Sequence, residues 1–91
     1  IVDDDLTQSF AAKRITWTKF LNAGQVCIAP DYIYINKKIK QTFINLLQKT
    51  IQEFYGDDPQ KSPHFGRIIS EKHFDRLNSL LGSCEILFGG R

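Results

Sequence analysis

The sequence has no methionine, and its 91 residues include only two cysteines, three prolines and one tryptophan. Cys27 and Cys84 lie too far apart to give the paired ligand spacing of a zinc site, and two cysteines cannot build a disulfide framework. No metal is expected, and a reducing, intracellular compartment is the default for such a chain. No apolar run reaches the roughly 20 residues that cross a bilayer, and no secretory leader is expected at its start. The net charge is only +2, too mild for affinity built on neutralising phosphates. With 42% hydrophobic and 24% charged residues, the balance is that of a globular chain. Its length allows one compact unit at most, since domains run about 100–150 residues. A chain that opens on Ile1-Val2 without Met and runs to Gly89-Gly90-Arg91 reads as part of a longer protein.

Three amphipathic segments stand out. The first covers residues 6–21, with Asp5 as the expected N-cap and Gln8 at the capping-box position. Leu6, Phe10, Trp17 and Leu21 form its apolar stripe, widened by Ala11 and Ile15. Thr16 and Thr18 weaken its intrinsic propensity, so packing must hold it. The second covers residues 37–55, between Asn36 as N-cap and Gly56 as stop. Ile39, Phe43, Leu46, Leu47, Ile51 and Phe54 step by three and four along one face. The third covers residues 71–81 behind Ser70, with Phe74, Leu77 and Leu81 on one side. Gly82 suits the left-handed position after a helix.

Between them, Tyr32-Ile33-Tyr34-Ile35 and Cys84-Glu85-Ile86-Leu87-Phe88 are β-branched and aromatic runs that predict strands, and Ile1-Val2 suits the tail of another. Strands alternating with helices predict an α/β fold with a parallel sheet. Residues 56–69 carry Asp57-Asp58-Pro59 and Ser62-Pro63, which favour turns over helix. His64 reads as a solvated loop residue and His73 has no ligand partner nearby, so neither is a catalytic candidate.

The chemistry concentrates in residues 20–30. A helix ends near Asn22, a strand is expected near Tyr32, and Cys27 sits in the tight connection between them. Gly24 opens backbone conformations closed to other residues, and Pro30 stiffens the exit. A thiol in such a turn can face a cleft with backbone N–H groups aimed at an oxyanion forming on an attacked carbonyl. A free thiol, with a pKa near 8.5, is only about 3% thiolate at pH 7, so such a nucleophile needs activation from fold neighbours. Spacing alone favours a small, buried, inert cysteine at Cys27, and Cys84 in its apolar run fits that reading well.

Gly24-Gln25-Val26-Cys27, with Phe20 upstream, resembles the active-site cysteine signature of the aldehyde dehydrogenase superfamily. Cys27-Ile28-Ala29-Pro30-Asp31-Tyr32 resembles its class-three branch, which includes the fatty aldehyde dehydrogenases. Val2-Asp3, Lys13-Arg14-Ile15, Glu53-Phe54-Tyr55-Gly56, Ser62-Pro63, Arg67-Ile68-Ile69, His73-Phe74 and Phe88-Gly89-Gly90 follow in the family's order, so the resemblance covers essentially the whole chain.

The resemblance implies that Cys27 is the nucleophile, that Asn22, Gly24 and Gln25 shape its loop, and that the backbone N–H of Cys27 is one oxyanion donor. It implies NAD(P)-dependent oxidation of aldehydes, aliphatic or aromatic, to carboxylic acids through a thiohemiacetal and a thioester. Residues 1–91 then form part of a catalytic domain and of its open sheet. The general base, the oxyanion asparagine and the NAD- or NADP-binding domain are expected outside the chain, so no cofactor-binding residue is assigned and the isolated piece is expected to be inactive. The family implies a homodimeric parent, placed in the cytoplasm or held on an intracellular membrane by a segment other than this one. Two alternatives stand beside it. One is an acylating enzyme that passes the acyl group to coenzyme A or phosphate. The other is a non-catalytic interaction module, for which Lys37, Lys38 and Lys40 beside Tyr32 and Tyr34 suggest RNA, although the near-neutral charge disfavours nucleic acid.

Overall fold

Thr7, not Asp5, opens the first helix. In the computed structural model, which describes residues 1–90, α1 spans Gln8–Phe20 and its N-cap makes no side-chain hydrogen bond. The Thr7 carbonyl instead accepts from the N–H groups of Phe10 and Ala11, each at 3.1 Å. The acidic run before it serves another purpose. The Asp3 carboxylate accepts from Asn36 Nδ2 at 2.9 Å and from the Asp4 N–H at 2.8 Å. These bonds, Asn36's foremost, hold the Asp3 carboxyl below its ordinary 3.8. They also fold residues 3–6 into a turn, so the helix starts after it.

Asn36 fulfils its expected role. Its Oδ1 accepts from the Lys38 N–H at 3.0 Å, satisfying a helix-start donor as a short polar cap does. The 3₁₀ turn Lys37–Ile39 then runs into α2, Lys40–Tyr55. Gly56 stops α2 at φ 77°, with its N–H on the Gln52 carbonyl at 2.8 Å. The third helix, α3, is Glu71–Leu81 behind Ser70, whose Oγ accepts from the His73 N–H at 3.3 Å. Gly82 departs from expectation: at φ −60° it continues the right-handed conformation.

Helices α1 and α2 pack on each other around Val2, Ala12, Ile39 and Phe43. The α1 face that enters this core is Ala12, 0% exposed, with Thr16 one turn on. Both are small enough for the helices to approach closely, and Phe43, 1% exposed, fills the space between them. Leu6, Phe10, Trp17 and Leu21 point away and stay exposed, Trp17 at 60%. The helical spacing was legible, but size rather than hydropathy chose the inner face, because close packing rewards fit. The face expected of α2 is the one used: Phe43 is buried, with Leu46, Leu47, Ile51 and Phe54 half-buried.

The expected α/β fold with alternating parallel strands is overturned. Among the described residues no strand forms, and the element order is helical throughout. A single isolated parallel bridge joins Val2 to Ile35, with Val2 N–H to the Tyr34 carbonyl at 2.8 Å and Asn36 N–H to the Val2 carbonyl at 3.0 Å. A strand is defined by its paired neighbour, and the turn after Val2 removes that neighbour beyond one rung. Tyr32 and Tyr34 are exposed, stacked edge-to-face on each other at 5.2 Å rather than packed in a sheet. Residues 84–88 pair with no strand either. Their tie to α2 is Gln48 Nε2 to the Leu87 carbonyl at 3.4 Å. Every residue of α3 before Leu81 is exposed. The radius of gyration, 13.8 Å, correspondingly exceeds the roughly 12 Å of a tightly packed chain of this length.

Thr16 Oγ1 is buried without a hydrogen-bond partner among the described residues. Thr16→Val keeps the shape and removes the unpaired hydroxyl, so it is expected to stabilise the chain by about 1 kcal/mol. Phe43→Ala empties the centre of the core and is expected to cost about 3–5 kcal/mol. Urea unfolding followed by circular dichroism checks both signs.

Candidate active site

Helix α1 ends at Phe20, and Leu21 is extended at φ −55°, ψ 126°. The next three residues all have positive φ: Asn22 at 51°, Ala23 at 56° and Gly24 at 79°. The Gln25 N–H closes this left-handed turn on the Asn22 carbonyl at 3.1 Å. Asn tolerates the region and Gly occupies it freely, but each L residue with a Cβ is strained there by about 1–2 kcal/mol. The turn reverses the chain within a few residues and delivers a second, ordinary turn over residues 26–29, closed by the Ala29 N–H on the Val26 carbonyl at 3.0 Å. Cys27 and Ile28 occupy its two central positions. Both are exposed. The backbone N–H of Cys27 donates to no acceptor among the described residues.

Exposure overturns the reading that spacing alone favours, because Cys27 is not a packed core thiol. Cys84 also departs from expectation. It is exposed rather than buried, with its Sγ donating to the Leu80 carbonyl at 3.6 Å in the turn after α3. Residues 84–88 have no sheet partner, so their apolar side chains bury nothing around that sulfur.

The other residues expected at the site, Asn22, Gly24 and Gln25, lie in the left-handed turn immediately before Cys27. Asn22 Nδ2 spans the turn to the Gln25 carbonyl at 3.5 Å. Gln25 reaches outward: Nε2 donates to the Asn22 carbonyl and to the Arg67 carbonyl, each at 2.9 Å. Its Oε1 accepts from the Ile69 N–H at 2.9 Å. Gly66 completes the contact, since a Cβ there would stand 3.5 Å from the Asn22 and Ala23 backbone. Beneath the turn, Phe20, Tyr55 and Phe65 form an aromatic triad with centroids 5.1–6.0 Å apart, edge-to-face where Tyr55 meets each phenylalanine and tilted between Phe20 and Phe65. Such geometry adds to area burial. Burial pushes the Tyr55 phenol above its ordinary 10.0. Residues 65–69 and Tyr55 were not identified as site-shaping from sequence, because they meet the turn only through tertiary contact. The one local signal was a glycine between Phe65 and Arg67.

A cleft of about 340 Å³ is lined by Trp17, Phe20, Leu21, Asn22, Phe54, Tyr55 and His64. Cys27 does not line it. Among the described residues no three His, Cys, Asp or Glu side chains converge as metal ligands, and no helix is long and apolar enough to cross a membrane. Nor do these residues form a strand–glycine-turn–helix cradle for a dinucleotide. The arrangement offers an exposed thiol on a braced turn, with a free backbone donor beside it.

The turn yields a direct comparison between two glycines. A Cβ at Gly24 meets φ 79° and the Lys19 carbonyl at 3.2 Å, whereas Gly82 lies in right-handed space with its nearest contact at 3.7 Å. Gly24→Ala is expected to destabilise by about 1–2 kcal/mol, and Gly82→Ala to be neutral or to stabilise by up to about 1 kcal/mol. Denaturant midpoints of the two variants check the difference.

Comparison with known proteins gives the chain's family. A family model described as "Aldehyde dehydrogenase family" matches residues 1–85. "Aldehyde dehydrogenase family 3 member B1" of Rattus norvegicus is 44% identical over 90 residues, covering 99% of this chain and 19% of the relative. "Aldehyde dehydrogenase, dimeric NADP-preferring" of Bos taurus is 44% identical over 89 residues, covering 98% of this chain and 37% of the relative. Among solved structures, "Substrate bound state of Staphylococcus Aureus AldH" superposes with a TM-score of 0.93 at 45% identity, over 99% of this chain and 20% of that one. The chain thus spans about a fifth of the length of the first relative and of the solved structure. With the match running through nearly its full length, the chain belongs to the aldehyde dehydrogenase family.

Proposed function

We propose that residues 1–91 are the cysteine-bearing part of a longer catalytic domain that oxidises aldehydes to carboxylic acids, with Cys27 as its nucleophile. The observation that carries this reading is the exposure of the Cys27 thiol on a turn held from outside by Gln25, Gly66 and the aromatic triad. Family membership supplies the reaction class.

The Cys27 sulfur, as thiolate, adds to the carbonyl carbon and the carbonyl oxygen takes the electron pair. The free N–H of Cys27 is placed to donate to that oxygen, the electrostatic assistance such reactions need. Loss of a hydride from the adduct leaves a thioester on Cys27, and water releases the acid and restores the thiol. The balance is one aldehyde, one water and one two-electron acceptor giving one acid, one proton and the reduced acceptor. The name of the bovine relative supports NAD or NADP as that acceptor. The residues here do not fit a dinucleotide, so its binding, the general base and the second oxyanion donor belong to the rest of the protein. The isolated chain is accordingly expected to show no turnover. Aliphatic or aromatic aldehydes are the substrates we propose, on the class-three resemblance of residues 27–32, and the word "dimeric" in the bovine name supports a homodimeric parent.

In the complete protein, Cys27→Ala is expected to reduce aldehyde-dependent nicotinamide reduction by at least about a thousandfold, and Cys84→Ala to leave it within about twofold. Absorbance of the reduced nicotinamide measures both. The reverse pattern would move the nucleophile to Cys84.

A further inference from the structure

The Gln25 side chain makes more long-range polar contacts than any other near Cys27. Its carboxamide faces two carbonyl oxygens on one side, Asn22 and Arg67, and one N–H on the other, Ile69. Turning the amide over would set its oxygen against both carbonyls, so the partners allow one orientation. The Arg67 carbonyl and Ile69 N–H are bonded as a neighbouring strand would bond them, with a side chain replacing the missing backbone. These partners lie 42 and 44 residues away in sequence. The turn that carries Cys27 is therefore fixed to residues 67–69 through one side chain. Gly66 lies against the same turn, where a Cβ would make ordinary contact with the Asn22 and Ala23 backbone at 3.5 Å. Arg67 is itself anchored, its guanidinium donating to the Gln60 carbonyl in the turn after α2.

We propose that Gln25 is a positioning residue for the Cys27 thiol, and that residues 67–69, held by its carboxamide, set where the sulfur stands relative to the carbonyl it attacks. This rests on Cys27 being the nucleophile. Among the described residues, these three left-handed residues have no neighbouring ladder to hold them, and the Gln25 carboxamide is the polar link between their turn and the body of the fold. Releasing it frees the turn to shift, and reaction rates fall steeply when reacting atoms are misplaced by about 1 Å. Ground-state aldehyde binding depends on surfaces elsewhere, so the loss belongs in kcat and not in KM.

The test uses the complete protein with Gln25→Met, which keeps the length and removes every hydrogen bond, and Gln25→Glu, which keeps the acceptor for Ile69 and loses both donors. Expected for Gln25→Met is a kcat lower by about ten- to a hundredfold, with aldehyde KM within about twofold, in a protein that still folds with a modestly lowered unfolding midpoint, since three hydrogen bonds are lost. Gln25→Glu, which sets a carboxylate oxygen against the Asn22 and Arg67 carbonyls, should lose at least as much. A folded Gln25→Met with kcat within about twofold of the parent, or a loss confined to KM, overturns the proposal. If Gln25→Met does not fold, Gln25→Glu carries the same criteria. Failure of both to fold marks Gln25 as a stability residue and overturns the positioning role. Cys27→Ala, run alongside, separates the two claims. If it abolishes turnover while Gln25→Met does not, only the positioning role falls, whereas if it leaves turnover intact, the nucleophile assignment falls as well.

Discussion

Three consecutive residues with positive φ cannot hold themselves in place. Asn22, Ala23 and Gly24 adopt a conformation that costs the two residues with a Cβ about 1–2 kcal/mol each. Their own closure, one i to i+3 hydrogen bond, returns about 0.5–1.5 kcal/mol. The remainder comes from outside: the Gln25 carboxamide on residues 67–69, the close approach of Gly66, and the packing of Phe20 on Tyr55 and Phe65. Backbone strain of this kind persists only where surroundings over-determine it, and such places concentrate at functional sites. Cys27 stands three residues beyond the strained turn, and its position depends on how firmly that turn is braced.

The brace also explains how a small helical unit can hold the Cys27 thiol exposed. The α1–α2 pair, closed on Phe43 and Ala12, is a rigid base. Its two chain ends, Phe20 and Tyr55, meet at one pole, and residues 65–69 cross there. A turn that leaves this pole is fixed by parts of the chain distant in sequence. Loops carry chemistry when a scaffold positions them, and here the scaffold is two helices and an aromatic triad.

The helices were legible because their signals are local. Asn36, Gly56 and Ser70 act at the places their chemistry assigns, and the α2 stripe buries the face that its periodicity picks out. Asp5 was misread because Asp3 bonds Asn36, a partner 33 residues away, which delays the helix to Thr7. The α1 stripe was misread in part: Ala11 and Ile15 do pack on the core, but its centre is the small pair Ala12 and Thr16, while Leu6, Phe10, Trp17 and Leu21 stay exposed. Strands were expected at residues 32–35 and 84–88 because β-branched and aromatic residues suit a half-buried pleated surface. That surface requires neighbours, and Val2 supplies only one rung. The motif pointed to Asn22, Gly24 and Gln25, which form the turn before Cys27. Their long-range partners at Gly66, Arg67 and Ile69 were not legible, because a glutamine bonded to two backbone groups over 40 residues away leaves no local trace.

Mass spectrometry of peptides from the complete protein, quenched with acid during turnover of an aldehyde and oxidised nicotinamide, tests the central claim most directly. The account predicts that the acyl group of the substrate is found on the peptide containing Cys27, and that hydroxylamine removes it. Steady turnover with the acyl group on the peptide containing Cys84, or on neither cysteine, would contradict it.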